Sequence, residues 1–445
     1  MFFPEGAFGP TNNCVGIGQV LRSRGHRVVF IVEESFAGTL EAQGFEERRM
    51  RLAPAPEHEE APGQFWIDFI AETAPVFRTS TIDQLGGFIA PTFRALIDGA
   101  RFVDDRLREI LEEVRPDVVV EDNVVAFPAL PASGRPWVRI ASCNPAEVKD
   151  PAIPPFSSGY PVADRSGWPA FLEEVERTHR DLWAEFDAFC RDRGAPGLTW
   201  RPEGPDFIHE SPWLNLFLYP ADADYPREEP LSPAWHRLES CVRSVDGAPA
   251  WELPSNLARG DGALLYLSLG SLGSADVALM QRLIDVLATT RHRVIVSMGP
   301  LADRIRLADN MAGAAFLPQP AILPQVDLVI THGGNNTVTE SFHHGKPMVV
   351  LPLFWDQVDN AQRLDETGFG VRLPAYAFED AELTGAIDRL LGDAALRARL
   401  HAISTRLRAN PGTIRAADLI ERVAVTGRPV ATDEAVASAR PTMAA

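Results

Sequence analysis

No stretch of this 445-residue chain reaches the roughly 18 uninterrupted apolar residues of a bilayer span, and no basic segment leading into an apolar run opens it. A membrane-spanning protein and a secretory leader are therefore not expected, and a cytoplasmic location is. Positive charge is in deficit: 42 Lys plus Arg stand against 61 Asp plus Glu, a net charge of -19. Such a surface offers no general attraction to nucleic acid or anionic lipid, so neither nucleic acid nor stable membrane association is expected. The only cysteines, Cys14, Cys143, Cys190 and Cys241, are too scattered for a zinc or redox motif and suit reduced thiols. Low-complexity runs are missing too, which confines expected disorder to the ends.

What is present is the composition of a globular enzyme, 45% hydrophobic and 23% charged, in a chain long enough for two domains and a cleft between them. MFFPEGAFGPTNN reads as a short strand running into a Gly/Pro loop, with a helix over VGIGQVLRSRG and a strand in HRVVFIV. Only Met1, Phe2 and Phe3 precede Pro4, so the first strand looks cut short and the natural start is expected upstream. Residues 62 to 113 are helical in pattern and rich in aromatics, among them Phe65, Trp66 and Phe88, which fits either an apolar pocket or ordinary core.

RPDVVVEDNVVAFPAL gives a strand ending in Glu121 and Asp122, RPWVRIAS gives another, and a helical hairpin-like region is expected around residues 168 to 194. WLNLFLY adds a strand before a Pro/Asp-rich stretch. From about residue 245 the same grammar restarts with GALLYLSLGSLGS, HRVIVSMG, VDLVITHGG and PMVVLPL. Two doubly wound parallel α/β halves follow from this pattern.

Residues 316 to 363 carry the densest chemistry. VDLVIT is a buried strand delivering His332, Gly333 and Gly334 to its carboxyl end, where open α/β sheets bind ligands. The glycines permit close backbone approach, and Asn336 and Thr337 open a helix whose N–H groups suit a diphosphate. His332 can donate to the same anion, and Glu340, about a turn beyond Asn336, can accept from two ribose hydroxyls. Asp356 and Gln357, an acid beside an amide, suit the vicinal hydroxyls of a sugar. His343 and His344 read as helix surface or packing.

In order, this segment contains Phe316-Leu-Pro318-Gln319, His332-Gly-Gly334-Asn335-Asn336-Thr337, Glu340, Gly345-Lys-Pro347, Pro352 and Asp356-Gln357. It resembles the donor-binding signature of the UDP-glycosyltransferase superfamily, with bacterial macrolide and flavonoid glycosyltransferases as the nearest type. That resemblance implies the GT-B fold, two Rossmann-like domains facing across a cleft. It divides the chain into an acceptor-binding domain at 1–220, a linker at 221–244, a nucleotide-sugar domain at 245–408, a helix across the lobes at 409–427 and a mobile tail at 428–445.

The resemblance assigns Phe316 to stacking on uracil, Gln319 to the base or ribose, and Glu340 to the ribose. His332, Gly334, Asn335, Asn336 and Thr337 fall to the diphosphate, and Asp356 and Gln357 to the hexose. Ser271, in the glycine loop after Ser268 and Gly270, matches a further diphosphate contact. No metal and no resident cofactor is expected: the UDP-sugar is a substrate, a small lipophilic molecule is the acceptor, and a homodimer is left open.

One position departs from the family. Where its first loop has G-H-x-x-P, this chain has Gly6-Ala7-Phe8-Gly9-Pro10, which puts Ala7 where the proton-accepting His stands. The acid that normally orients that His survives as Asp122. Asp122 and Glu5 are the candidate bases, and Ala7, Phe8, Phe65, Trp66 and Phe88 the candidate acceptor-side residues. The leading expectation is inverting transfer of glucose from UDP-glucose to a phenolic or polyketide acceptor. The rivals are a dTDP-deoxysugar donor and a nucleotide-sugar-binding protein without catalysis.

Overall fold

The runs Trp137–Ala141, Leu264–Ser268 and Leu328–Thr331 are mostly apolar and buried at every position, as strands covered on both faces must be, with the one charged residue, Arg139, paired to Glu147. The computed structural model describes residues 1–6, 8–54, 68, 72–244, 251–258 and 260–432. Ala7, Phe65 and Trp66 lie outside the described residues, and nothing of the Phe8 side chain is described.

The first sheet holds β1 (Phe2–Pro4), β2 (Val29–Glu33), β3 (Glu46–Met50), β4 (Val119–Asp122) and β5 (Trp137–Ala141). A small separate hairpin follows, β6 (Trp200–Arg201) with β7 (Gly204–Pro205), and then β8 (Leu214–Phe217) and β9 (Trp235–Arg237) complete the sheet. Its order is β3-β2-β1-β4-β5-β8-β9, with every pair parallel. The second sheet is built from β10 (Leu264–Ser268), β11 (Arg293–Ser297), β12 (Met311–Ala314), β13 (Leu328–Thr331), β14 (Met348–Val350) and β15 (Gly370–Arg372). These run β12-β11-β10-β13-β14-β15, again all parallel.

In both sheets the strand order reverses beside the first strand, so a crevice opens at the carboxyl ends of β1 and β4 and another at those of β10 and β13. The register sets Pro4 opposite Asp122 and Ser268 opposite Thr331, and so fixes which residues emerge into each crevice. This is the paired doubly wound GT-B architecture.

The principal helices are α1 (Phe8–Ser23), α2 (Ala90–Val114), α3 (Trp168–Asp192), α4 (Val277–Ala288), α5 (Asn335–His343), α6 (Gln357–Thr367), α7 (Asp380–Gly392), α8 (Ala394–Ala409) and α9 (Gly412–Thr426). Three local expectations need correction. The Gly/Pro loop is already helix from Phe8, because Pro10 falls in the first turn, where its missing N–H removes no intrahelical bond. The region 168 to 194 is one continuous helix, α3, whose buried face includes Phe171, Val175, Leu182 and Phe186 at helical spacing. Within 221–244, Trp235–Arg237 is the edge strand β9 of the first sheet, with Trp235 buried.

Helix α9 returns to the first lobe and lies against α1, where Arg24 pairs with Asp418 at 2.8 Å and Glu421 at 2.6 Å. The start of the expected mobile tail is pinned there as well. Val430 is buried, and its N–H donates to the Trp213 carbonyl at 2.9 Å. Residues 433–445 lie outside the described residues.

Candidate active site

The turn after β13 is built around the His332 ring. A Cβ added to Gly334 would stand 2.6 Å from His332 Nε2, and one on Gly270, after β10, would stand 2.7 Å away. Gly270 has φ +72 and Gly333 φ +90, so the two strand-to-helix turns close over the imidazole only with glycine there. The ring donates to the Ser268 carbonyl, and burial lowers its pKa to about 4, so it is neutral at pH 7. Beside it, α5 begins at Asn335 and points its N-terminal N–H groups into the crevice, with Ser271 next to Gly270 on the adjoining turn.

One turn along α5, Glu340 is buried and its carboxyl is pushed up by that burial, against the pull of Arg243 and Gln319. Gln319 Nε2 donates to Glu340 Oε2 at 2.6 Å and to Thr337 Oγ1 at 3.3 Å. Arg243 Nη1 faces Glu340 Oε1 at 3.7 Å. Phe316, just before this group, is 63% exposed, a large aromatic ring presented to the outside.

Several polar side chains reach across the cleft. Asn335 Nδ2 donates to the carbonyls of Ser142 at 2.7 Å and Leu218 at 2.9 Å. Asn336 Nδ2 donates to the Gly9 carbonyl at 2.8 Å, and its Oδ1 accepts from Asn13 Nδ2 at 3.0 Å. Asp356 Oδ2 accepts the Asn144 N–H at 3.1 Å and Asn360 Nδ2 at 3.2 Å. Asn144 Nδ2 in turn donates to Asn360 Oδ1 at 2.8 Å. Burial raises Asp356 to about 7, offset in part by the Asn144 N–H. Gln357 Oε1 accepts from the N–H groups of Leu353 and Phe354, at 3.1 and 3.3 Å, and braces the loop that carries Asp356.

On the facing lobe, Asp122 accepts the Ser142 hydroxyl at 2.6 Å, and the Glu5 N–H donates to the Asp122 carbonyl at 2.9 Å. Burial raises Asp122 to about 8, with the Ser142 hydroxyl pulling it down and Glu147 and Glu5 adding to the rise. Glu5, half-buried, is raised to about 7 by burial and by Glu147.

Beyond these acids lies a cavity of about 70 Å³ whose wall includes Phe93, Phe156, Phe207, Trp355, Glu147 and His179. Phe93 stacks on Phe207 at 4.3 Å and meets Trp355 at 5.1 Å. Trp355 sits at φ +59, a conformation that few non-glycine residues adopt; the surrounding packing holds it there, with the ring turned toward the first lobe. Glu147 belongs to a polar part of the wall with Arg139, Lys149 and Asp206, and pairs with Arg139 at 2.5 Å.

The family model described as erythromycin biosynthesis protein CIII-like, C-terminal domain, matches residues 281–422. Demethyllactenocin mycarosyltransferase of Streptomyces fradiae is 24% identical over 433 residues, spanning 94% of this chain and 85% of that protein. Zeaxanthin glucosyltransferase of Pantoea ananas is 26% identical over 443 residues, 95% of each chain. Among solved structures, the glycotransferase of kitacinnamycin superposes with a TM-score of 0.69 at 24% identity, covering 95% of this chain and 97% of that one. The chain belongs to the UDP-glycosyltransferase superfamily.

Within this glycosyltransferase the structure brings His332, Gly334, Thr337, Glu340, Gln319 and Ser271 into one crevice, and sets Asp122 and Glu5 at the other. Three residues expected to touch the donor make other contacts as well. The side chains of Asn335 and Asn336 bridge to the first lobe, and the Gln357 oxygen caps its own loop. The backbone N–H groups of Asn335 and Asn336 remain at the N-terminus of α5. Phe88, expected on the acceptor side, is core: it is buried, with its ring 4.9 Å from Phe77 and 5.2 Å from Phe354.

Sequence reasoning missed Arg243, Asn144, Phe93, Phe207 and Trp355. The residue legible in hindsight is Asn360, four places after Asp356 and therefore on the same helix face. Phe93 and Phe207 meet within the first lobe, more than a hundred residues apart in sequence, and Arg243, Asn144 and Trp355 make their contacts across the lobes.

Proposed function

We propose that this glycosyltransferase moves a hexose, glucose foremost, from a UDP-sugar to a small lipophilic acceptor such as a phenolic or polyketide natural product, with inversion. The observation that carries this reading is adjacency. A glycine-lined imidazole and a helix N-terminus stand beside the Glu340 carboxyl on one lobe, and an aromatic cavity lies across the cleft, with Asp122 and Glu5 at the mouth of the facing crevice.

In this reading the diphosphate lies over the N-terminus of α5 and the Ser271 turn, close to His332. A phosphate arriving beside the imidazole favours its protonated form, which would then donate to the leaving group. Glu340 takes the ribose hydroxyls, Phe316 the base, and Asp356 with the Gln357 amide the hexose. The acceptor hydroxyl attacks the anomeric carbon from the cavity side. The new C–O bond forms as the bond to the phosphate oxygen breaks, UDP departs, and the proton passes to Asp122, directly or through a water, with Glu5 beside it.

A second reading, a dTDP-deoxysugar donor, draws support from the pairing of Arg243 with Glu340. A screen of UDP- and dTDP-sugars against pooled phenolic and macrocyclic acceptors, read by product mass, tests the function. Products shifted by a hexose support it. Nucleotide uptake with slow donor hydrolysis and no product across the panel would point instead to a binding protein.

A further inference from the structure

The Glu340 carboxyl holds two unlike partners. Oε2 accepts a hydrogen bond from Gln319 at 2.6 Å, whereas Oε1 faces the Arg243 guanidinium at 3.7 Å. Arg243 belongs to the segment between β9 and β10. Its backbone packs closely against the first lobe: a Cβ on Gly16 of α1 would come 3.2 Å from its Cα. The guanidinium is thereby held over the one oxygen of a 5%-exposed carboxylate that Gln319 leaves uncovered.

A ribose offers that carboxylate two vicinal hydroxyls, one per oxygen. A 2′-deoxyribose offers one. A site that relied on both hydroxyls would leave a buried carboxylate oxygen unpaired with the deoxy sugar, and unpaired buried groups are how proteins reject analogues lacking a hydroxyl. Arg243 supplies the second partner itself, and the extra hydroxyl of a ribose must displace a cation to gain its bond.

Resting on the donor-site reading above, we propose that Arg243 is a donor-specificity residue, covering one oxygen of Glu340 so that the site takes up 2′-deoxyribonucleoside diphosphates as readily as ribonucleoside diphosphates. The class of donor then extends to the sugars of thymidine diphosphate.

Calorimetric titration of the full chain with UDP, dUDP and dTDP tests this, because UDP and dUDP differ only at the 2′ position. The parent should bind dUDP and UDP within about threefold of each other, with dTDP reporting the added base methyl. In Arg243→Ala the dUDP-to-UDP ratio of dissociation constants should rise about tenfold, the loss of one hydrogen bond to a charged group, and Arg243→Lys should fall between. Thermal melting of each variant checks that it folds. A parent preferring UDP by about tenfold, or an unchanged ratio in Arg243→Ala, overturns the proposal while leaving the donor site standing. Uptake of none of the three nucleotides by the folded parent overturns both.

Discussion

Asp359 of α6 accepts two backbone N–H groups of the opposite lobe, Ser157 at 2.6 Å on Oδ2 and Gly159 at 2.8 Å on Oδ1. Ser157 sits at φ +63, a shape few non-glycine residues adopt, so the loop that brings Phe156 to the cavity is held by this carboxylate together with Arg372, which donates to the Gly159 carbonyl at 2.8 Å, and Thr81, which donates to the Ser158 carbonyl at 2.7 Å. Asp359→Asn offers one acceptor oxygen where two are used and sets an NH₂ against an N–H. The KM for the acceptor should rise about tenfold, with donor affinity unchanged to within about twofold, as steady-state kinetics and calorimetry would report.

The cleft acids tie stability to pH. Asp356, Asp359 and Glu5 are raised to about 7, and Glu121 and Asp122 to about 8, chiefly by burial. The folded chain therefore keeps protons that the unfolded chain releases above about pH 4, and stability falls as pH climbs from there through the folded values. Buried histidines with lowered pKa values, such as His332 and His179, work in the opposite direction up to about pH 6.5, so the melting temperature should drop between about pH 7 and about pH 8.5, and drop less in Asp359→Asn. A flat or rising profile would contradict these assignments.

If Asp122 receives the acceptor proton, the same raised value governs turnover. The kcat/KM should climb with pH through about 7 to 8 as the carboxyl ionises. Asp122→Asn should lose about 10²–10⁴-fold in kcat on an aliphatic alcohol and less on a strongly acidic phenol, which needs little help to lose its proton. Equal retention on both substrates would move the role to Glu5.

The imidazole cradle makes a sharper demand on side-chain size. In Gly334→Ala the added methyl would meet His332 Nε2 at 2.6 Å, so the ring or the turn must shift. Nucleotide affinity should weaken about tenfold, with the far-UV circular dichroism unchanged.

How much of this could be read from the sequence depends on how local the cause is. The crevice at His332, Gly334, Thr337 and Glu340 is legible because strand, turn and helix are contiguous, and one stretch of chain places all four. The doubly wound sheets are legible because buried parallel strands are continuous apolar runs. The inter-lobe contacts of Asn335 and Asn336 were not legible because their partners, Ser142, Leu218, Gly9 and Asn13, lie more than a hundred residues away and meet them only when the lobes dock. Phe88 misled because an aromatic on an amphipathic helix looks alike in a core and in a pocket. Trp355 was passed over between Phe354 and Asp356, since no spacing reveals a left-handed backbone that swings the ring across the cleft.

The central claim is that the crevice between β10 and β13 grips a nucleoside diphosphate. The most direct measurement is calorimetric titration of UDP and dTDP into the parent and into a His332→Ala, Glu340→Ala double variant. One site per chain in the parent, weakened at least about tenfold in the variant, is the predicted result. Uptake by neither protein, or equal uptake by both, would contradict it.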